Sequence, residues 1–145
     1  MIVSLLTDYG HEDEFVGVCH AVIRGIAPDV PIVDLTHGIA RYGVREGAIV
    51  LRNSLPYVPV GVHVAIVDPQ VGTERRGIAV RTGDGRTLVG PDNGLLASAV
   101  GLVGGATGAV ELTDPRPVTV MRRRTSRGFT SITVRANTLP DWRVP

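Results

Sequence analysis

The segment Val-Ala-Ile-Val-Asp-Pro-Gln-Val-Gly-Thr-Glu-Arg-Arg, residues 64–76, is an apolar run that stops abruptly at an acid. The run 64–67 is too short and too rich in β-branched residues for a helix, which predicts a buried strand. Asp68 then lies where this strand leaves the sheet, and open α/β sheets bind ligands beyond the carboxyl ends of their strands. Because Arg75 and Arg76 return on the same loop, the segment predicts a charged site. The alternative is an aspartate that caps its own turn beside two solvated arginines.

Strand and helix patterns alternate on both sides of this segment. Apolar residues show strand patterns at 2–6, 31–35 and 62–68, and helical spacing over 13–27 and 43–55. Strands that alternate with amphipathic helices form βαβ crossovers, so we expect an α/β fold with a mostly parallel sheet flanked by helices. Further elements are predicted as a hairpin of 77–82 with 87–89, a helix at 94–102 and a short strand at 110–112.

The pattern changes after Leu112. Residues 113–145 contain four of the prolines and an Arg122-Arg123-Arg124 run, which predicts a solvated surface; phosphate contact is the alternative. Residues 129–134 could form one strand, but no helical pattern follows it. We therefore expect residues 1–112 to be the α/β domain and 113–145 to be a divergent tail, truncated or frame-shifted.

Composition excludes several classes of protein. The chain has 145 residues, 43% of them hydrophobic and 20% charged, as in an ordinary globular domain. A net charge of +1 does not favour nucleic acid as a partner. No apolar run is long enough to span a membrane and no signal-peptide pattern is present, so we expect a cytoplasmic protein without a membrane partner. The single cysteine, Cys19, cannot form an internal disulfide.

Acids follow or end three of the predicted strands: Asp8, Asp34 and Asp68. Parallel strands bring these ends to the same edge of the sheet, where carboxylates could bind a hydroxyl-rich ligand, a cation or a divalent metal. Asp8 beside Tyr9 and Gly10 suits a ribose diol with a stacked base. The alternative for Asp8 is a turn cap.

Common catalytic motifs are absent from the sequence. There is no G-x-G-x-x-G loop, Walker A sequence, H-E-x-x-H pair or G-x-S-x-G elbow. Cys19 falls on the apolar face of a predicted helix, which favours a core cysteine over a nucleophile. For His20, His37 and His63 a buried or turn position is the expectation.

Four motifs occur in a fixed order. They are Leu-Leu-Thr-Asp-Tyr-Gly at 5–10, Ile-Val-Asp-Leu-Thr-His at 32–37, Val-Asp-Pro-Gln-Val-Gly-Thr-Glu-Arg-Arg at 67–76 and Gly-Pro-Asp-Asn-Gly-Leu-Leu at 90–96. Together they resemble the S-adenosylmethionine hydroxide adenosyltransferases, relatives of the fluorinase and chlorinase. The resemblance covers about residues 1–112 and implies the family's N-terminal α/β domain, with the C-terminal β-barrel domain absent.

The resemblance implies a reaction and roles for three residues. S-adenosyl-L-methionine is the substrate, water or hydroxide attacks its 5′ carbon, and adenosine and L-methionine are the products. Asp68 is implied to orient the water, Arg75 to stabilise developing hydroxide character, and Asp8 to hold the ribose hydroxyls. No metal or other cofactor is implied, and the family assembles as a homotrimer. The halogenase relatives lack the acid at position 68, so Asp68 favours hydroxide over a halide.

Two positions depart from the family pattern. Gln70 stands where the family usually has glycine, which would strain the loop if this position required a positive φ. The family's catalytic histidine has no counterpart, because the nearest analogue of its motif, 125–129, places Arg127 there. The alternatives to hydrolysis are therefore an inactive fragment with residual adenosine binding or an assembly role, a metal-dependent hydrolase using the three strand-end acids, or, least favoured, a halogenase.

Overall fold

Strands and helices alternate along the N-terminal half of the chain, as the apolar spacing predicts. The computed structural model describes residues 1–113 and, further along, the backbone of 118–125 and 128–134. The elements are β1 (Val3–Thr7), α1 (Phe15–Ile26), β2 (Ile32–Thr36), α2 (Val44–Ser54), a 3-10 turn (Leu55–Tyr57), β3 (Val62–Ile66), β4 (Gly77–Thr82), β5 (Thr87–Pro91), α3 (Ala97–Leu102), β6 (Ala106–Glu111), β7 (Val118–Thr125) and β8 (Gly128–Val134).

Six of these strands form one mixed sheet in the order β2-β1-β3-β5-β4-β6. The pairs β1–β2, β1–β3 and β3–β5 are parallel, whereas β4 pairs antiparallel with both β5 and β6. The predicted α/β class with a mostly parallel sheet is therefore confirmed. Because β1, β2 and β3 run in the same direction, their carboxyl ends meet at one edge of the sheet.

The hydrophobic core lies between the sheet and the helices α2 and α3. Leu51 from α2, Ala99 from α3 and Leu88 from β5 are fully buried in one apolar cluster. Burying a leucine side chain contributes roughly 1.5–3 kcal/mol, so this layer is a main source of stability. Gly47 lets α2 approach closely, because a Cβ there would lie 3.0 Å from Leu95 Cδ1.

A buried polar cluster interrupts this core beside β1 and β3. Ser4 and His63 are register partners in the two strands, and Ser4 Oγ lies 2.8 Å from His63 Nδ1. Arg86, which is also buried, donates from Nη2 to the carbonyl oxygens of Leu55 and Val58 at 3.1 and 2.7 Å. His63 is therefore a core histidine, as expected from its place within a strand.

The C-terminal elements differ in part from the prediction. β6 begins at Ala106, four residues before the predicted strand at 110–112, and α3 is shorter than the predicted helix. A strand over 129–134 is confirmed as β8, which pairs antiparallel with β7. β7 itself was missed, and it contains the Arg122-Arg123-Arg124 run. The boundary at 112 and the origin of the tail stay predictions.

Candidate functional site

The strand-end acids lie at the edge of the sheet where the sequence places them. Asp8 follows β1 directly, Asp34 lies near the end of β2, and Asp68 comes two residues after β3. Asp68 is 8% exposed, which is unusual for a carboxylate and requires compensating polar contacts.

The loop between β3 and β4 folds back on Asp68. The backbone N–H of Gln70 donates to Asp68 Oδ1 at 3.0 Å, and Thr73 donates from its N–H and its hydroxyl to the carbonyl oxygen of Gln70. Gly72 takes a φ of 88°, a conformation that favours glycine. These turn contacts return the chain so that Arg75 faces Asp68.

The guanidinium of Arg75 is held by groups on two loops. Its Nη1 donates to the carbonyl oxygen of Asp92 at 2.7 Å, and its Nη2 donates to Gln70 Oε1. Its Nε lies 3.7 Å from Asp68 Oδ1, within ion-pair range but beyond a hydrogen bond. The structure thus brings Asp68 and Arg75 together, and the positive charge faces the buried carboxylate.

The loop after β5 completes this arrangement. Asn93 donates from Nδ2 to the carbonyl oxygen of Val67 at 2.8 Å and accepts the Leu95 N–H at 3.1 Å. Asp92 forms an ion pair with Arg76 as well as supplying its carbonyl oxygen to Arg75. The sequence motif at 90–96 marked this loop without assigning it a role.

Asp8 has a different surrounding. Its Oδ2 accepts the backbone N–H of Tyr42 at 2.8 Å. Tyr42 has a φ of 66°, the one positive value for a non-glycine residue in the described part of the chain, and such conformations often occur at functional sites. The Tyr42 ring is half exposed, whereas the Tyr9 ring packs edge-on against Phe15 at 5.3 Å. The guanidinium of Arg41 lies over the Tyr42 ring, with its Cζ 5.1 Å from the ring centroid.

Asp34 is engaged by two histidines. His20 Nε2 lies 2.8 Å and His37 Nε2 lies 3.1 Å from Asp34 Oδ1, and buried His37 also lies 2.8 Å from Thr7 Oγ1 through Nδ1. Partial burial would raise the pKa of Asp34, but the two histidines lower it overall. Burial and the nearby Asp34 charge raise the pKa of the Cys19 thiol, which fits an unreactive cysteine.

Neither a metal cluster nor a membrane span is present in the described residues. No group of three or more His, Cys, Asp or Glu side chains there is placed to hold a metal ion. No helix among residues 1–113 has both the length and the apolar character needed to cross a bilayer. An open groove of about 620 Å³ beside β2 and α2 shares no residue with the Asp68–Arg75 pair.

Comparison with known proteins gives a consistent set of relatives. The model of the SAM hydroxide adenosyltransferase N-terminal domain matches residues 3–138. An (R)-S-adenosyl-L-methionine hydrolase of Salinispora arenicola is 52% identical over 113 residues, covering 78% of this chain and 43% of the relative. A fluorinase of Actinopolyspora mzabensis is 32% identical over 81 residues, covering 55% of this chain and 27% of the fluorinase.

A solved structure has the same fold. The crystal structure of a conserved protein from Thermotoga maritima superposes with a TM-score of 0.73 at 36% identity, covering 78% of this chain and 44% of that one. The chain therefore spans less than half the length of the hydrolase and of the solved structure that it matches.

Proposed function

The chain belongs to the SAM hydroxide adenosyltransferase N-terminal domain family, and on this premise we propose that it hydrolyses S-adenosyl-L-methionine to adenosine and L-methionine. The observation that carries the proposal is the buried carboxylate of Asp68 facing Arg75 at the carboxyl edge of the sheet. The hydrolase name of the Salinispora relative supports the same reaction.

The chemistry requires activation of the nucleophile rather than of the leaving group. The sulfonium leaves as a neutral thioether, whereas free water is a very weak acid that supplies little hydroxide and is itself a poor nucleophile. Asp68 Oδ1 already accepts the Gln70 N–H, so we assign Oδ2 to the attacking water. A hydrogen bond from this water to the carboxylate would orient one lone pair toward the 5′ carbon.

Arg75 supplies a fixed positive charge to the same place. As the attacking water passes a proton to Asp68 Oδ2, its oxygen takes on hydroxide character, and a guanidinium already held by Asp92 and Gln70 stabilises that negative charge without first reorganising. We therefore propose that Asp68 orients the water and that Arg75 stabilises its hydroxide character.

Asp8 is the proposed ribose-binding residue. Its Oδ2 is held by the Tyr42 N–H, and a carboxylate accepts hydrogen bonds through both oxygens, so Oδ1 can accept from a ribose hydroxyl.

Asp68 also favours hydrolysis over halogenation. A halide bound beside a carboxylate would be repelled, and the repulsion grows in a poorly solvated site. We further propose that the protein is cytoplasmic, works as a homotrimer, needs no metal or cofactor, and has neither nucleic acid nor membrane as a partner.

Product analysis tests this function. The chain is incubated with S-adenosyl-L-methionine in chloride-containing buffer made with H₂¹⁸O, and products are separated by liquid chromatography with mass detection. We expect adenosine carrying ¹⁸O at its 5′ hydroxyl, and none from Asp68→Ala. Glu74→Ala, which removes an exposed acid from the same loop, should retain activity.

Other products would overturn the proposal. A 5′-chloro nucleoside would assign the chain to halogenation, and adenosine formation that survives Asp68→Ala would remove Asp68 from the mechanism. If no product forms, calorimetric titration with adenosine tests whether the chain still binds it. Binding without turnover would replace hydrolysis by a binding role.

A further inference from the structure

Gln70 contacts both members of the Asp68–Arg75 pair. Its backbone N–H donates to Asp68 Oδ1 at 3.0 Å, and its side-chain Oε1 accepts from Arg75 Nη2. The backbone contact is open to any residue except proline, but the side-chain contact requires an acceptor on a side chain of this length. The contact to Arg75 is therefore specific to the glutamine.

Arg75 approaches Asp68 through Nε, while its two Nη groups contact other residues. Arginine and carboxylate groups usually pair through two parallel N–H···O bonds. Here Nη1 and Nη2 are directed to Asp92 and Gln70, and Nε is left 3.7 Å from Asp68 Oδ1 without a hydrogen bond to any described residue. The Asp68 carboxylate thus faces the positive charge of Arg75, but neither of its oxygens accepts a hydrogen bond from the guanidinium.

Nothing else in the loop explains a glutamine at this position. The side chain is exposed, so it adds little to the core, and its backbone does not take a positive φ. The residue causes no backbone strain, and glycine is not required there.

We propose that Gln70 is a positioning residue that anchors Arg75 and keeps its guanidinium from closing onto Asp68. This inference rests on the proposed hydrolysis for its effect on rate, although the anchoring itself is a property of the loop. Without the Gln70 acceptor, Nη2 is free to turn toward the carboxylate and compete with water for its oxygens.

The test compares Gln70→Met, which has nearly the same length but no strong acceptor, with Gln70→Glu, which keeps one. The first readout is the ¹⁵N NMR spectrum of the Arg75 guanidinium, assigned with Arg75→Lys. Two anchored Nη groups slow rotation about the Nε–Cζ bond, so we expect faster rotation in Gln70→Met and slow rotation in Gln70→Glu. Unchanged rotation in Gln70→Met would overturn the proposal.

The second readout is steady-state kinetics with S-adenosyl-L-methionine. We expect Gln70→Met to lower kcat by about tenfold, the usual scale for a lost hydrogen bond to a charged group, with KM little changed. The rate of Gln70→Glu is not a control here, because a carboxylate on Arg75 Nη2 would offset the positive charge on which the proposed mechanism depends. A kcat for Gln70→Met within about twofold of wild type would also overturn the proposal.

The two readouts separate the inference from the function on which it rests. If the wild-type chain releases no adenosine, hydrolysis fails, but the NMR comparison still decides whether Gln70 anchors Arg75. Because Gln70 is exposed, both variants should fold, and circular dichroism checks this. Gln70→Gly provides a third variant with the acceptor removed if Gln70→Met does not fold.

Discussion

Asn93 donates from its side-chain Nδ2 to the carbonyl oxygen of Val67 at 2.8 Å and thereby ties the loop after β5 to the end of β3. Val67 immediately precedes Asp68, and Asp92, which precedes Asn93, accepts a hydrogen bond from Arg75. One amide side chain therefore connects the backbone segments that hold both members of the candidate catalytic pair.

Removing this amide should weaken the fold and the site together. In Asn93→Ala the Val67 carbonyl and the Leu95 N–H both lose a partner, which should cost about 1–3 kcal/mol in the free energy of unfolding. Urea denaturation followed by circular dichroism measures this change. Ser98→Ala on the neighbouring helix α3 serves as the control, since its one hydrogen bond is exposed; equal losses in the two variants would contradict the bridging role.

Replacing Arg75 by lysine should reduce the rate without unfolding the protein. Lysine keeps the charge but cannot reach Asp92 and Gln70 through a planar fork, so the charge facing Asp68 would be poorly oriented. We expect kcat for adenosine release to fall by about 10²-fold, as for other lost charge-stabilising groups.

Arg76→Lys is the matched control for this measurement. Arg76 lies next in the chain and pairs with Asp92, but its side chain is largely exposed, and it is Arg75 that lies within ion-pair range of Asp68. Its activity should stay within about twofold of wild type, because exposed ion pairs contribute little. If Arg76→Lys were as impaired as Arg75→Lys, the loss would reflect loop disruption rather than a specific role of Arg75.

The features that could be predicted from sequence are those that depend on local spacing. Apolar periodicity located the parallel strands β1, β2 and β3, and the proximity of Asp68 to Arg75 follows from their sharing one short loop. The contact between Tyr42 and Asp8 could not be predicted, because nothing in the composition signals a tyrosine with a positive φ. The hydrogen bond from Arg75 to Asp92 could not be predicted either. It uses the backbone carbonyl of Asp92, which every residue type has.

The missed strand β7 has a different cause. Its sequence, Val-Thr-Val-Met-Arg-Arg-Arg-Thr, begins with strand-forming residues but has three consecutive charges before its last residue, and two prolines lie just before it. A half-buried strand alternates polar and apolar residues, and three adjacent arginines break that alternation. The sequence pattern therefore predicts a solvated surface segment rather than a strand. Pairing with β8 through backbone hydrogen bonds does not require that alternation.

Gly90 should not tolerate even one added methyl group. A Cβ at this position in β5 would overlap the carbonyl oxygen of Ala65 in the neighbouring strand β3, and a backbone atom inside a sheet cannot move aside. We expect Gly90→Ala to lower the free energy of unfolding by about 2 kcal/mol or more, or to prevent folding. Expression yield and the urea midpoint report this effect.

Gly17→Ala is the control for replacing a glycine by alanine, and we expect it to stabilise the protein rather than destabilise it. Gly17 lies within α1 and has no atom within 4 Å of an added Cβ, so alanine should stabilise the helix by about 0.5–1 kcal/mol. A loss of stability in Gly17→Ala comparable to that in Gly90→Ala would contradict the steric explanation.

Acid should destabilise the fold through His63. Burial, reinforced by the positive charge of Arg86 and opposed by Asp84, lowers the pKa of His63 to about 4, whereas histidine in an unfolded chain titrates near 6.5. Between these values the unfolded chain takes up a proton that the folded chain does not, so stability falls as the pH is lowered from about 6.5 to about 4. The total loss should be about 3 kcal/mol.

Urea denaturation at a series of pH values measures this dependence, and His63→Gln isolates it. Glutamine is neutral throughout and can still hydrogen-bond with Ser4, so its stability should be nearly constant from pH 6.5 to pH 4.5. Asp34 and Asp84 have lowered pKa values, and their contribution to stability is lost only at lower pH, below the ordinary range of aspartate. An equally steep pH dependence in wild type and His63→Gln would therefore assign the acid sensitivity to another group.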